Sequence, residues 1–188
     1  MSQFAKTNSY TGLSTYVPSW VKQDSKRFPR AKLRKAGGRL ETADVMSLFH
    51  PEGRKADAKA FGTLMKHLRE FDEAHSTVVM VQVENESGLL GDSRDGSEAA
   101  EKAFHEPVPE DLVKFLSSDW DQLHKDIKEQ NLSQFNPKNE SSGNWEAVFG
   151  SSPRTDELFM AYHYALYLNA VASAGKNQYP IPQDRKRD

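Results

Sequence analysis

The sequence predicts an α/β protein, and three observations carry that expectation. Thr77-Val-Val-Met-Val-Gln-Val83 is a continuous β-branched run without alternation, the composition of a strand covered on both faces, as in a parallel sheet. Before it, Phe61, Leu64, Met65, Leu68 and Phe71 recur at helical spacing between Lys, Arg and Glu. After it, Phe159, Met160, Tyr162, Tyr164, Leu166, Leu168 and Val171 form the most hydrophobic helical stretch of the chain.

Taken in order, the chain opens with turn-rich sequence. Tyr10-Thr-Gly-Leu13, Val17-Pro-Ser-Trp20, Arg27-Phe-Pro-Arg30 and Gly37-Gly38 read as one long irregular loop, with Tyr16, Trp20 and Phe28 as its anchors. An amphipathic helix follows over about 56–75, and then the strand. Ser87 to Ser97 is a polar, glycine-bearing loop. Pro107-Val-Pro-Glu-Asp111 starts a second helix, with Pro in its first turn and acids near the positive end of its dipole. Leu112, Val113, Phe115 and Leu116 are its expected buried residues, and Trp120, Leu123 and Ile127 extend it to about Gln130. Asn131 to Gly143 is a second polar loop. Ser152-Pro153 opens the hydrophobic helix, expected over about 156–174 and packed on more than one side, with Gly175 as its C-terminal cap. A doubly covered strand needs neighbours on both edges to pair its backbone, and one convincing strand does not supply them. The order therefore reads as a piece of a larger α/β domain.

Composition narrows the function classes. The 188 residues suffice for one domain with a real core, and 37% hydrophobic against 28% charged residues is polar but globular. A formal charge of -2 gives no reason to expect nucleic acid or an anionic membrane as partner. Cysteine is absent, which excludes disulfides and thiolate metal sites, and the histidines show no metal-ligand spacing. No cofactor is implied. No stretch reaches the apolar length of a membrane span. Met1 to Ser9 lacks a signal-peptide core, which favours the cytoplasm, while a start upstream of Met1 leaves secretion open. Asn131-Leu-Ser133 and Asn139-Glu-Ser141 match the glycosylation sequon, a pattern that matters only in a secretory pathway.

The segment that carries chemistry is Val81-Gln-Val-Glu-Asn-Glu-Ser-Gly88, at the C-terminal end of the expected strand. Strand ends on that side are where (β/α)8 barrels place catalytic groups. The Asn85-Glu86 pair after a β-branched run resembles the acid/base signature of β-galactosidases of glycoside hydrolase family 35, related to the family 42 barrel. Tyr16-Val-Pro-Ser-Trp20-Val-Lys22, Arg27-Phe-Pro-Arg30, Phe71-Asp72, Gly91-Asp-Ser-Arg-Asp95, Asn144-Trp-Glu-Ala-Val-Phe-Gly150, Glu157-Leu-Phe-Met-Ala-Tyr-His-Tyr164 and Ala174-Gly-Lys176 extend the resemblance from about Thr7 to Pro182.

That resemblance implies a partial catalytic domain spanning residues 1–188, a fragment of a (β/α)8 barrel around strand 4 and its flanking helices. Residues 1–55 would be the loop region on the active-site side, 56–182 the helix-strand-helix core and 183–188 a charged tail. It implies a glycosidase that hydrolyses a β-galactoside or related glycoside by retaining double displacement. Glu86 would be the acid/base catalyst, and Asn85 would hydrogen-bond the hydroxyl beside the anomeric carbon. Trp145 could stack on a sugar or anchor its loop, and Arg94 could line the sugar site or pair with a carboxylate. Glu84 reads as a supporting carboxylate and His163 as a core histidine. Retention needs a second carboxylate about 5–5.5 Å from the first. No acid after Glu86 ends a second β-branched strand, so the nucleophile is expected outside this chain and the chain alone is expected to be inactive. The alternative is a truncated product or remnant that binds a sugar or a protein without catalysis.

Overall fold

A computed structural model of the chain describes residues 17–85, 87–138 and 142–181. Tyr10–Leu13, Tyr16, Glu86, the Asn139 sequon and the charged tail lie outside the described residues. The chain divides into two compact units: Met1–Ala31, Thr42–Gly88 and His163–Asp188 form one, and Lys32–Glu41 and Leu89–Tyr162 the other.

The elements in chain order are helix α1 (Ser19–Gln23), strand β1 (Arg30–Arg34), strand β2 (Leu40–Met46), helix α2 (Pro51–Asp72), α3 (Glu98–His105), α4 (Glu110–Ser118), α5 (Lys125–Gln130), α6 (Trp145–Phe149) and α7 (Pro153–Lys176). Among the described residues the sheet is the single pair β1-β2. This is a helix-rich α/β protein and not a fragment of a (β/α)8 barrel. The strands arise in the segment expected to be an irregular loop. Gly37 and Gly38 adopt left-handed φ of 75° and 74° and let the chain reverse between them.

The expected strand Thr77–Val83 is not one. Asp72, buried at the end of α2, accepts the backbone N–H groups of Thr77 and Val78, each at 2.9 Å, which removes two donors a ladder would use. Val79 and Met80 are 80% and 81% exposed, so the run is not covered on both faces. Its β-branched composition keeps the backbone extended, but extension becomes a strand only beside a partner, and none of the described residues pairs with it.

In the first unit α2 starts five residues earlier than the hydrophobic pattern indicated, because Pro51 suits the first helical turn. Its buried stripe runs Gly53, Asp57, Phe61, Met65 and Asp72, and Phe71, expected inside, is 70% exposed. Phe61 and Met65 pack with Tyr167, Val171 and Tyr179 in one cluster, and Val17, Val21, Phe28 and Met46 form a second. Gly175 lies inside α7, not at a left-handed cap. A Cβ there would collide with the Phe61 ring, so close helix approach, not chain reversal, explains this glycine.

The second unit is built on aromatic contacts. Phe159 meets Phe104 and Trp145 edge-on, both at 5.1 Å between ring centroids, and Phe135 stacks on Phe149 at 5.6 Å. The helix expected from Pro107 to Gln130 is interrupted after Ser118, and Phe115 and Ile127 are exposed rather than buried. Helix α3 was not expected; Ser97 caps it by accepting the Ala100 N–H. Among the described residues no helix is long and apolar enough to cross a membrane.

Candidate functional site

The Gln82–Gly88 segment belongs to the first unit. Gln82 Nε2 donates to the Glu84 carbonyl at 3.0 Å and to Asn85 Oδ1 at 3.3 Å, folding residues 82–85 back on themselves. Glu84 sits at the left-handed φ of 61°, a conformation that costs a non-glycine residue on the order of 1–2 kcal/mol. Glu84 is therefore not in strand conformation. Asn85 and Ser87 are exposed, whereas Glu84 is 7% exposed.

Beside this turn lies a cavity of about 20 Å³, walled by Val45 to Leu48, Glu84, Ser87, Gly88, Tyr164 and Tyr167. It has room for about one water molecule, not for a sugar ring. Among the described residues, Glu84 is the one carboxylate in that wall. Both its oxygens are buried, and among the described residues neither receives a geometrically good hydrogen bond. Burial first, and then the neighbouring Asp57 carboxyl, push the Glu84 carboxyl well above the usual carboxylate range. Two ionised carboxylates have no proton to share, so they become partners only when one is protonated or something positive lies between them. Tyr167 donates its hydroxyl to Asp57 Oδ2 at 3.3 Å, and burial, then Asp57 and Glu84, raise the Tyr167 phenol further. The result is a buried acid pair backed by a tyrosine that stays neutral.

Asp57 and Tyr167 were not among the residues singled out from sequence. Asp57 carried a usable signal: it precedes Phe61 and Met65 at four-residue spacing, an acid on the apolar stripe of a helix. Tyr167 lies among other aromatic residues on α7 and carried none.

The other expected site residues lie in the second unit. Trp145 is 1% exposed, enclosed by Phe149, Phe159 and Tyr162, and presents no ring face for a sugar. Arg94 is 6% exposed; its Nε pairs with Asp156 Oδ1 and its Nη1 with Glu101 Oε1, both at 2.9 Å, and the guanidinium lies 3.9 Å from the Phe104 ring centroid. Arg34 Nη2 joins Asp92 and Asp156, both at 2.7 Å, completing the network that holds the 91–95 loop. Burial works upward on Asp92, but the Arg34 hydrogen bonds outweigh it and hold that carboxyl low. In the first unit His163, half-buried, packs against Phe49 with 4.8 Å between ring centroids. Among the described residues no three His, Cys, Asp or Glu side chains converge as metal ligands.

No family model matches the chain, and comparison with curated proteins finds no relative.

Proposed function

We propose that Gln82–Gly88 is the galactoside-recognising segment of a β-galactosidase-like glycoside hydrolase. Glu86 is its acid/base carboxylate, and Asn85 hydrogen-bonds the hydroxyl beside the anomeric carbon. The observation that carries this reading is the motif itself, Gln82-Val-Glu-Asn-Glu-Ser-Gly88, which combines a carboxylic acid for protonating a leaving oxygen with an adjacent amide for a sugar hydroxyl. Its exposed Asn85 leaves the amide open to a sugar approaching from solvent.

Retaining hydrolysis also needs a carboxylate on the opposite face of the sugar. The carboxylate closest in sequence, Glu84, is buried and turned toward Asp57, so it does not fill that role. This chain by itself therefore binds a glycoside without turning it over. Purified chain incubated with an aryl β-galactoside, beside a Glu86→Gln control, tests that statement. Equal, background-level release from both is expected. Turnover clearly above the control would mean that a second carboxylate within the chain completes the site.

A further inference from the structure

We propose that the extended run Val79–Val83 is a pairing edge for a second copy of this chain, which adds its own Val79–Val83 antiparallel about Val81. The inference is independent of the sugar reading, since it rests on the backbone of the run and not on the motif's carboxylates.

Among the described residues no backbone N–H or carbonyl from Val79 to Val83 has a backbone partner. Such a row of open donors and acceptors is a template for another strand. Its length is set at both ends. Asp72 takes the N–H groups of Thr77 and Val78, and the left-handed φ of 61° at Glu84 ends the extension. Residues 79–83 remain, and one antiparallel register pairs all of them with an identical run: Val79 with Val83, Met80 with Gln82, and Val81 with its own counterpart. Successive residues of an extended chain turn their backbone groups to opposite edges, so Val79, Val81 and Val83 exchange both bonds with their partners along one edge.

The side chains suit an identical partner. Val81 and Val83 pack against the cluster of Phe61, Met65 and Tyr167 and hold the run on the body, while Met80 and Gln82 are exposed. No charge lies between Thr77 and Val83, so two copies meet without like-charge repulsion, and every paired valine meets a valine. Soluble chains protect such edges with Lys or Pro, and this run has neither. A foreign strand would share the backbone bonds but not this match of length and side chains. The pair is small against the roughly 1,000 Å² that a stable interface buries, which sets the expected Kd on the order of 10⁻⁴ M.

The test uses the intact chain, whose lack of cysteine lets introduced cysteines report register without background. Sedimentation equilibrium of the wild type from about 10 µM to about 1 mM should show a monomer–dimer equilibrium. Val79→Pro removes a backbone donor of the pairing edge at an exposed residue and should abolish the dimer. Met80→Cys and Gln82→Cys alter exposed side chains and should fold as the wild type does. Under mild oxidation their mixture should form disulfide-linked heterodimers at least about tenfold faster than either variant links to itself, because residue 80 lies opposite 82 and only diagonally from 80. A wild type that stays monomeric to about 1 mM would overturn the proposal. So would Val79→Pro dimerising like the wild type, or Met80→Cys linking to itself as fast as the mixture, which would put the strands in another register.

Discussion

Replacing Glu84 by Gln keeps the side-chain shape and removes its titration. In the folded chain the Glu84 carboxyl is raised, first by burial and then by Asp57, from 4.5 to about 9. For a raised group the stability supplied by the neutral form is fully present below the unfolded value and is lost as pH rises through the folded value. Within that window each pH unit costs on the order of 1.4 kcal/mol if this group alone titrates differently in the two states. From pH about 5 to about 7 the wild type should thus lose roughly 2–3 kcal/mol relative to Glu84→Gln. The assay is urea unfolding of both proteins in chelating buffer across that range. Groups remote from Glu84 cancel in the difference, and Asp57, whose titration is tied to Glu84, is read with it as one pair. Parallel stability curves would show that Glu84 is ionised or solvated in the folded chain, and the buried acid pair would be refuted.

Three further expectations follow from packing. Gly175→Ala should destabilise by roughly 1–3 kcal/mol, because the added methyl meets Phe61. Gly62→Ala, whose Cβ would sit 3.4 Å from the Ala174 carbonyl oxygen, should be nearly neutral; thermal melts of the two variants compare them directly. Arg94→Ala removes the partner of the half-exposed Glu101 and one of the two cationic partners of Asp156, which keeps Arg34, and should cost about 1–3 kcal/mol in denaturant unfolding; Arg94→Lys should recover little because one ammonium cannot replace the fork. Phe159→Ala should cost about 3–5 kcal/mol, since that ring is fully buried against Phe104 and Trp145.

The two long helices were legible because their apolar residues repeat at helical spacing, and Pro51 and Pro153 marked their starts more accurately than hydrophobicity did. The Thr77–Val83 strand was misread because β-branched composition reports an extended backbone, while strand identity depends on a pairing partner elsewhere in the chain. The β1–β2 hairpin was hidden among the Pro and Gly signals of a loop, although the Gly37-Gly38 pair marks its reversal. At the site, Glu84 was visible from the motif, but its burial depends on Asp57 and Tyr167, which lie 27 and 83 residues away in sequence. For Trp145 and Arg94, residue type left an anchoring role and a sugar-binding role open. The aromatic cluster and ion-pair network around them account for both as packing residues.

The central claim is that the Gln82–Gly88 segment recognises a galactoside, and ligand-observed saturation-transfer NMR tests it most directly. Methyl β-galactoside mixed with the intact chain should show saturation transfer that free galactose displaces and that Asn85→Ala removes. Undiminished transfer in Asn85→Ala, or none with the wild type, would contradict the account.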